Sequence, residues 1–218
     1  LDVLQDLVDH YCVTVVLCSA TQPALEDSPY IKGFREVHDI VPNSERYFDA
    51  LKRVHFELPG EGERSWKQIA GEMCSASQSM AVVNTKKDAL ALLDALDDPD
   101  ALHLSTLLCG AHRRDILAEV HSRLKTGKPC QLVATQVVEA GVDLDFPVVL
   151  RAMGPLDRIV QAAGRCNREG RLKTGRMIVF RPAEGKTPAG SYRTGTDIAT
   201  SLLSQPDSDL HDPVLYKT

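Results

Sequence analysis

The chain has 218 residues, of which 43% are hydrophobic and 25% charged, a balance that supports a packed core and excludes a wholly disordered protein. No uncharged apolar run approaches the ~20 residues of a membrane helix, and no basic segment followed by an apolar one opens the sequence, so we expect a cytoplasmic protein without a membrane partner. Six cysteines occur without a C-x-x-C pair, which argues against a zinc ribbon or a disulfide framework.

The net charge of −5 argues against binding of nucleic acid through overall charge. The charge is unevenly distributed, however, because residues 151–181 contain eight lysines or arginines and only two acidic residues. An acidic body with one basic stripe is typical of a groove that engages phosphates at one place.

The first part of the chain predicts a helix and a strand. Apolar side chains recur at helical spacing at Leu4, Leu7, Val8 and Tyr11, and the β-branched run 13–17 predicts a buried strand. Residues 26–43 are polar and contain two prolines and a glycine, which is typical of a linker.

Beyond the linker, short apolar strands alternate with amphipathic helices, and this order predicts an α/β domain of three layers with a mainly parallel sheet. The predicted strands are 53–58, 80–83, 102–104, 131–134, 148–153 and 177–180. The predicted helices are 66–74, a segment striped by Ala89, Leu92, Leu93 and Leu96, then 112–125, 156–163 and a final one near 197–203.

Polar residues follow three of the predicted strands, at the edge where ligands bind in parallel sheets. They are Asn84, Thr85, Ser105, Thr106, Thr135 and Gln136. Each pair alone is explained by helix capping. Three pairs along one edge favour a track for a phosphate backbone, contacted without reading of bases.

Residues 161–168, with the sequence QAAGRCNR, contain the densest cluster of phosphate-binding side chains. Offsets of zero, four and seven predict that Gln161, Arg165 and Arg168 share one face of a helix. Two guanidiniums and an amide on one face suit the γ-phosphate of a nucleotide. The alternative is a solvated helix face with ordinary arginines.

Two further segments add to this cluster. In ATQVVEAGVDLDF, residues 134–146, Gly141 predicts a tight turn or a close approach to a ligand, and Asp143 offers a carboxylate for ribose hydroxyls. The tripeptide Ser19-Ala20-Thr21 directly follows the predicted strand 13–17.

In this order, SAT, ATQVVEAGVDLDF and QAAGRCNR resemble the third, fifth and sixth motifs of superfamily 2 helicases. The blocks around them, with CNREGR at residues 166–171, resemble the CRISPR-associated helicase-nuclease of type I interference systems. That resemblance implies a RecA-like, P-loop NTPase-like fold and an ATP-driven motor on single-stranded DNA. It further implies recruitment by a CRISPR surveillance complex with its guide RNA, and an attached HD nuclease that degrades invading DNA.

The resemblance also implies roles for individual residues. Arg165 and Arg168 would be arginine fingers, Gln161, Gly141 and Asp143 would contact ATP, and Thr135 would touch the DNA backbone. Ser19 and Thr21 would couple the nucleotide state to the grip on the strand.

A motor of this class also needs a P-loop and an acidic box for Mg²⁺, and the sequence contains neither. Gly185-Lys186-Thr187 is no P-loop, because position 180 is Phe and Pro188 follows. We therefore expect a remnant of a first RecA-like domain (1–26), a linker (27–47), a second RecA-like domain (48–190) and a tail (191–218).

On this interpretation, ATP and Mg²⁺ are the cofactors, the Mg²⁺ ligands lie in the missing first domain, and the chain alone is inactive. Its partners would be that domain, the HD nuclease domain and single-stranded DNA. The alternative is a non-catalytic DNA-binding or docking module that retains a helicase fold.

Overall fold

The computed structural model describes residues 1–18, 25, 32–42, 44–60, 62–139, 141–205, 208–212 and 215. The chain forms two compact units. The small unit comprises residues 1–52 and 209–218, and the sheet domain comprises residues 53–208.

The small unit contains the helices α1 (Asp2–Tyr11) and α2 (Glu45–Ala50). Helix α1 confirms the predicted helical spacing, and its buried Gln5 accepts a hydrogen bond from the Arg35 backbone N–H at 3.0 Å. The predicted buried strand at 13–17 is wrong: no strand forms there and Val16 is 65% exposed. A buried strand needs neighbouring strands for its backbone groups, and the described part of this unit contains none. Ser19 and Thr21 lie outside the described residues.

The sheet domain is built on six strands, every neighbouring pair of which is parallel. In chain order the strands are β1 (Val54–Glu57), β2 (Gln78–Val82), β3 (Leu102–Leu104), β4 (Cys130–Ala134), β5 (Val148–Ala152) and β6 (Gly175–Phe180). The helices are α3 (Trp66–Cys74), α4 (Lys86–Leu96), α5 (Gly110–Thr126), α6 (Leu156–Ala163) and α7 (Ser191–Leu203). The predicted parallel α/β architecture is confirmed, although α7 begins six residues earlier than predicted.

Both faces of the sheet are covered, as the near-continuous apolar strands predict. Ala81 and Leu150 belong to a cluster with side chains of α3 and α4 on one face. Their neighbours Met80 and Val149, which point to the opposite face, are also fully buried. The domain therefore has three layers with its core on both sides of the sheet.

The strand order is β1-β6-β5-β2-β4-β3, so β2, β4 and β3 are neighbours. Their last residues are in register, with Val82 opposite Ala134 and Ala134 opposite Leu104. Because all strands run the same way, the polar residues that follow these three strands meet at one edge. The topology confirms the predicted alignment of the three strand ends.

No helix among the described residues is both long and apolar enough to cross a lipid bilayer.

Strand β3 carries a half-buried histidine, His103, whose Nε2 has no hydrogen-bond partner among the described residues. Burial lowers the pKa of this imidazole below its ordinary value of 6.5. Between the lowered pKa and 6.5 the unfolded chain binds more protons than the folded chain. The free energy of unfolding should therefore fall as the pH drops below 6.5.

Urea denaturation across that pH range should give a smaller acid loss of stability for His103→Gln than for the wild type. His112→Gln, at an exposed position of α5, should keep the wild-type pH dependence. An unchanged pH dependence in His103→Gln would show that His103 does not cause the loss.

Candidate nucleotide and nucleic-acid site

The prediction of a single helix face for Gln161, Arg165 and Arg168 is wrong, because α6 ends at Ala163. Gln161 lies in its last turn. The chain then leaves the helix because residues 165–167 pair with a distant segment. The Phe146 N–H donates to the Arg165 carbonyl, and the Phe146 carbonyl accepts from the Asn167 N–H, both at 2.9 Å. The two arginines therefore lie on the loop after α6.

The Arg165 guanidinium is clamped onto backbone carbonyls. Its Nε donates to the Val138 carbonyl at 2.9 Å and its Nη2 to the Glu139 carbonyl at 2.7 Å. The residue is only 9% exposed, and Nη1 has no hydrogen-bond partner among the described residues. The clamp thus fixes the plane of the guanidinium and leaves one nitrogen for another acceptor.

Burial lowers the pKa of Arg165, and the neighbouring charge of Arg168 acts in the same direction. Asp143 and Glu139 oppose this shift. An arginine side chain nevertheless stays protonated at neutral pH. The site therefore presents a desolvated positive charge, which attracts an anion more strongly than an exposed one does.

Arg168 is held by its backbone and leaves its side chain at the surface. Its N–H donates to Asp145 Oδ1 at 2.7 Å, and its carbonyl accepts from Arg53 Nη1 at 2.9 Å. Its Nε lies 2.7 Å from Asp143 Oδ1, in an ion pair whose Asp143 side chain is 74% exposed. Such exposed pairs contribute at most about 1 kcal/mol, so a bound phosphate can compete for Arg168.

The loop that carries Arg168 depends on Asn167, which sequence reasoning did not single out. Its buried side chain donates to the carbonyls of Arg53 and Leu172 and accepts from the Leu172 N–H, at 2.9–3.0 Å. Its φ of 44° is left-handed, a conformation that asparagine tolerates better than most residues. That tolerance is the one signal in the sequence that indicated its role.

Gly141 and Asp143 lie on the segment between β4 and β5. Gly141 has a φ of 72°, which explains the glycine, and a Cβ there would meet nothing within 4 Å. The predicted tight turn is therefore present, and it requires glycine for its backbone conformation rather than for lack of space around a side chain. The structure brings Asp143 together with Arg165 and Arg168, whereas no side-chain hydrogen bond joins Gln161 to either arginine.

The polar strand ends line an open cavity of about 490 Å³. Its lining residues are Asn84, Thr85, Lys86, Thr106, Thr135, Gln136 and Val137. Lys86 is an exposed cation of this cavity that sequence reasoning missed, although its place directly after Thr85 was a signal. The cavity can bind an extended anion through hydroxyls, an amide and one lysine.

Two of the predicted DNA contacts also accept hydrogen bonds from nearby backbone N–H groups. Thr85 Oγ1 accepts from the Asp88 N–H at the start of α4, and Ser105 Oγ accepts from the Leu107 N–H, each at 3.1 Å. Ser105 is fully buried and does not line the cavity. Helix capping therefore accounts for Thr85, whereas Ser105 closes a turn ahead of α5 and Thr106 is exposed at the cavity.

Asn84 belongs to a buried polar network centred on Arg151 of β5, which is fully buried. Arg151 Nη1 donates to Asn84 Oδ1 at 2.8 Å, and Nη2 donates to Glu139 Oε1 at 3.1 Å and to Tyr192 Oη at 2.9 Å. Tyr192 Oη in turn donates to Asn84 Oδ1 at 2.8 Å. Arg151 belongs to the basic stripe that the sequence led us to expect at phosphates, and its complete burial corrects this expectation; a charge inside a buried strand indicates a buried partner.

The other oxygen of the Glu139 carboxylate pairs with Arg158 of α6, at 3.2 Å from Nη1. Burial raises the pKa of the Glu139 carboxyl, while the charges of Arg151 and Arg158 act in the opposite direction.

No group of three or more metal-ligating side chains occurs among the described residues.

Comparison with known proteins finds a family model and relatives that are similar to part of this chain. The model of the C-terminal region of CRISPR-associated nuclease/helicase Cas3 matches residues 75–171, which include β2 to β5, the cavity and both arginines. This part of the chain is therefore similar to the C-terminal region of Cas3. A Cas3 nuclease/helicase of Haloferax volcanii is 45% identical over 74 residues, which are 33% of this chain and 8% of that protein.

Two solved structures share the fold of the sheet domain. T. fusca Cas3 with AMPPNP superposes with a TM-score of 0.52 at 23% identity, over 70% of this chain and 20% of that one. A chain of a CRISPR RNA-guided surveillance complex in the pre-nicking state gives 0.55 at 20% identity, over 76% and 24%. The chain thus spans a quarter or less of the length of each of these proteins.

Proposed function

We propose that the sheet domain, residues 53–208, is the second RecA-like motor domain of a Cas3-type, ATP-dependent helicase that moves on single-stranded DNA. In this role Arg165 and Arg168 face the γ-phosphate of an ATP molecule held mainly by a P-loop domain. The observation that carries the proposal is the state of Arg165: a buried guanidinium, fixed by two backbone carbonyls, with Nη1 left for an acceptor. A solvated surface arginine needs no such clamp.

The charge and geometry fit a phosphoryl group. Catalysis of phosphoryl transfer depends on positioning and on cations that neutralise the charge of the transition state. Arg165 supplies a pre-oriented cation, and Arg168 supplies a second one that exchanges Asp143 for phosphate. Hydrolysis also needs a P-loop and Mg²⁺ ligands, which this sequence lacks, so we expect no ATP turnover by this chain alone.

The strand-end cavity is the proposed contact with DNA. It lies at the ends of β2, β4 and β3 and offers Lys86, Thr106 and Gln136 to a backbone. These groups contact phosphates without distinguishing bases. The RNA-guided surveillance complex and the HD nuclease are proposed partners, in keeping with the pre-nicking complex that contains a chain of the same fold.

Replacing Arg165 with alanine should abolish ATP hydrolysis stimulated by single-stranded DNA in the full-length helicase that carries this chain. Loss of an arginine finger lowers kcat by about 10³-fold or more. The matched control is Arg171→Ala, because Arg171 is an exposed arginine of the same basic stripe, paired with Glu169. Wild-type turnover by Arg165→Ala would contradict the motor role and favour a non-catalytic binding module.

Replacing Lys86 with alanine should weaken binding of oligo(dT) and make it less sensitive to salt. A lost phosphate contact lowers the slope of log K against log salt by about 0.7 for single strands. Lys87→Ala is the control, since Lys87 is the adjacent exposed lysine and does not line the cavity. Fluorescence anisotropy at several salt concentrations measures the slope of log K against log salt for the wild type and each variant. Equal slopes for Lys86→Ala and Lys87→Ala would contradict the proposed contact with the DNA backbone.

A further inference from the structure

The Glu139 carboxylate is fixed from two directions. Oε1 pairs with Arg151 of β5 and Oε2 with Arg158 of α6, at 3.1 and 3.2 Å. The side chains of Glu139 and Arg151 are both fully buried. Moving the carboxylate would leave the buried Arg151 charge without its partner, which is strongly destabilising. Glu139 therefore ties its own backbone to both a strand and a helix.

That backbone is one half of the Arg165 clamp. The Glu139 carbonyl accepts from Arg165 Nη2 at 2.7 Å, and the preceding carbonyl, of Val138, accepts from Nε at 2.9 Å. The direction of the Arg165 guanidinium is thus set by the turn that ends at Glu139. The pairing of Glu139 with Arg151 and Arg158, which we call the anchor, has further support, because Asn84 and Tyr192 hold Arg151 in place.

We propose that Glu139 is a positioning residue for Arg165 in ATP hydrolysis. It touches no substrate, and its carboxylate fixes the two carbonyls that aim the guanidinium. This inference rests on the motor role proposed above. It assigns a function to the glutamate between Thr135 and Gly141, and to the buried arginine that sequence reasoning overlooked.

The test is Glu139→Gln in the full-length helicase. Glutamine keeps the size of the side chain, but it lacks the negative charge and turns a donor NH₂ group toward an arginine that also donates. A misplaced catalytic group costs up to about 100-fold, so we expect kcat to fall by about 10- to 100-fold. The KM for ATP should change little, because a finger acts chiefly in the transition state.

A double-mutant cycle with Arg165→Lys separates positioning from general damage. Lysine keeps the charge at position 165 and loses the two-carbonyl clamp. If Glu139 acts through Arg165, Glu139→Gln should lower kcat less than about twofold in the Arg165→Lys background. If the two losses multiply in full, or if Glu139→Gln alone leaves kcat unchanged, the inference is overturned while the motor role stands.

Arg158→Gln provides a milder variant in case Glu139→Gln does not fold. It removes only the partly exposed arm of the anchor, and it should show the same non-additivity with a smaller loss of kcat. Glu119→Gln is the control, since it breaks a Glu–Arg pair on α5 with Arg123 and should leave kcat unchanged. Wild-type kcat in Arg165→Ala would instead overturn the motor role together with this inference.

Discussion

The buried charge of Arg151 is the constraint on which the edge of the sheet beyond the strand ends depends. A fully buried guanidinium must be neutralised and hydrogen-bonded, and here the partners come from different elements. Glu139 lies after β4, Asn84 after β2 and Tyr192 on α7. Satisfying one charge therefore fixes the relative positions of two strand ends, a turn and a helix.

The two proposed sites are built on this shared base. Glu139 carries the carbonyl that clamps Arg165, and Asn84 lines the strand-end cavity beside Thr135. Buried ion pairs contribute little net stability compared with apolar packing, so their value in this domain lies in geometry. The network holds both Arg165, which we propose faces a γ-phosphate, and the polar groups of the strand-end cavity, which we propose contact DNA, at the same edge of the sheet.

Much of the fold could be predicted because the apolar patterns report burial directly. Strand 102–104 and helices 66–74 and 156–163 agree with the structure residue for residue. The apolar stripe predicted the end of α6 at Ala163 correctly, whereas the spacing of Gln161, Arg165 and Arg168 wrongly extended the helix, since the pairing of Cys166 with Phe146 joins segments distant in sequence. The same holds for the Arg165 clamp, which uses carbonyls that no side-chain pattern reveals. The strand at 13–17 was predicted from propensity alone, and propensity does not supply the neighbours that a strand requires.

The central claim is that the clamped Arg165 guanidinium faces the γ-phosphate. A structure of the protein that carries this domain, bound to AMPPNP and single-stranded DNA, tests this proposal most directly. We expect Arg165 Nη1 within about 3.2 Å of a γ-phosphate oxygen, with the hydrogen bonds to the Val138 and Glu139 carbonyls retained. An Arg165 guanidinium that faces away from the nucleotide, or that reaches it only after leaving both carbonyls, would contradict the account.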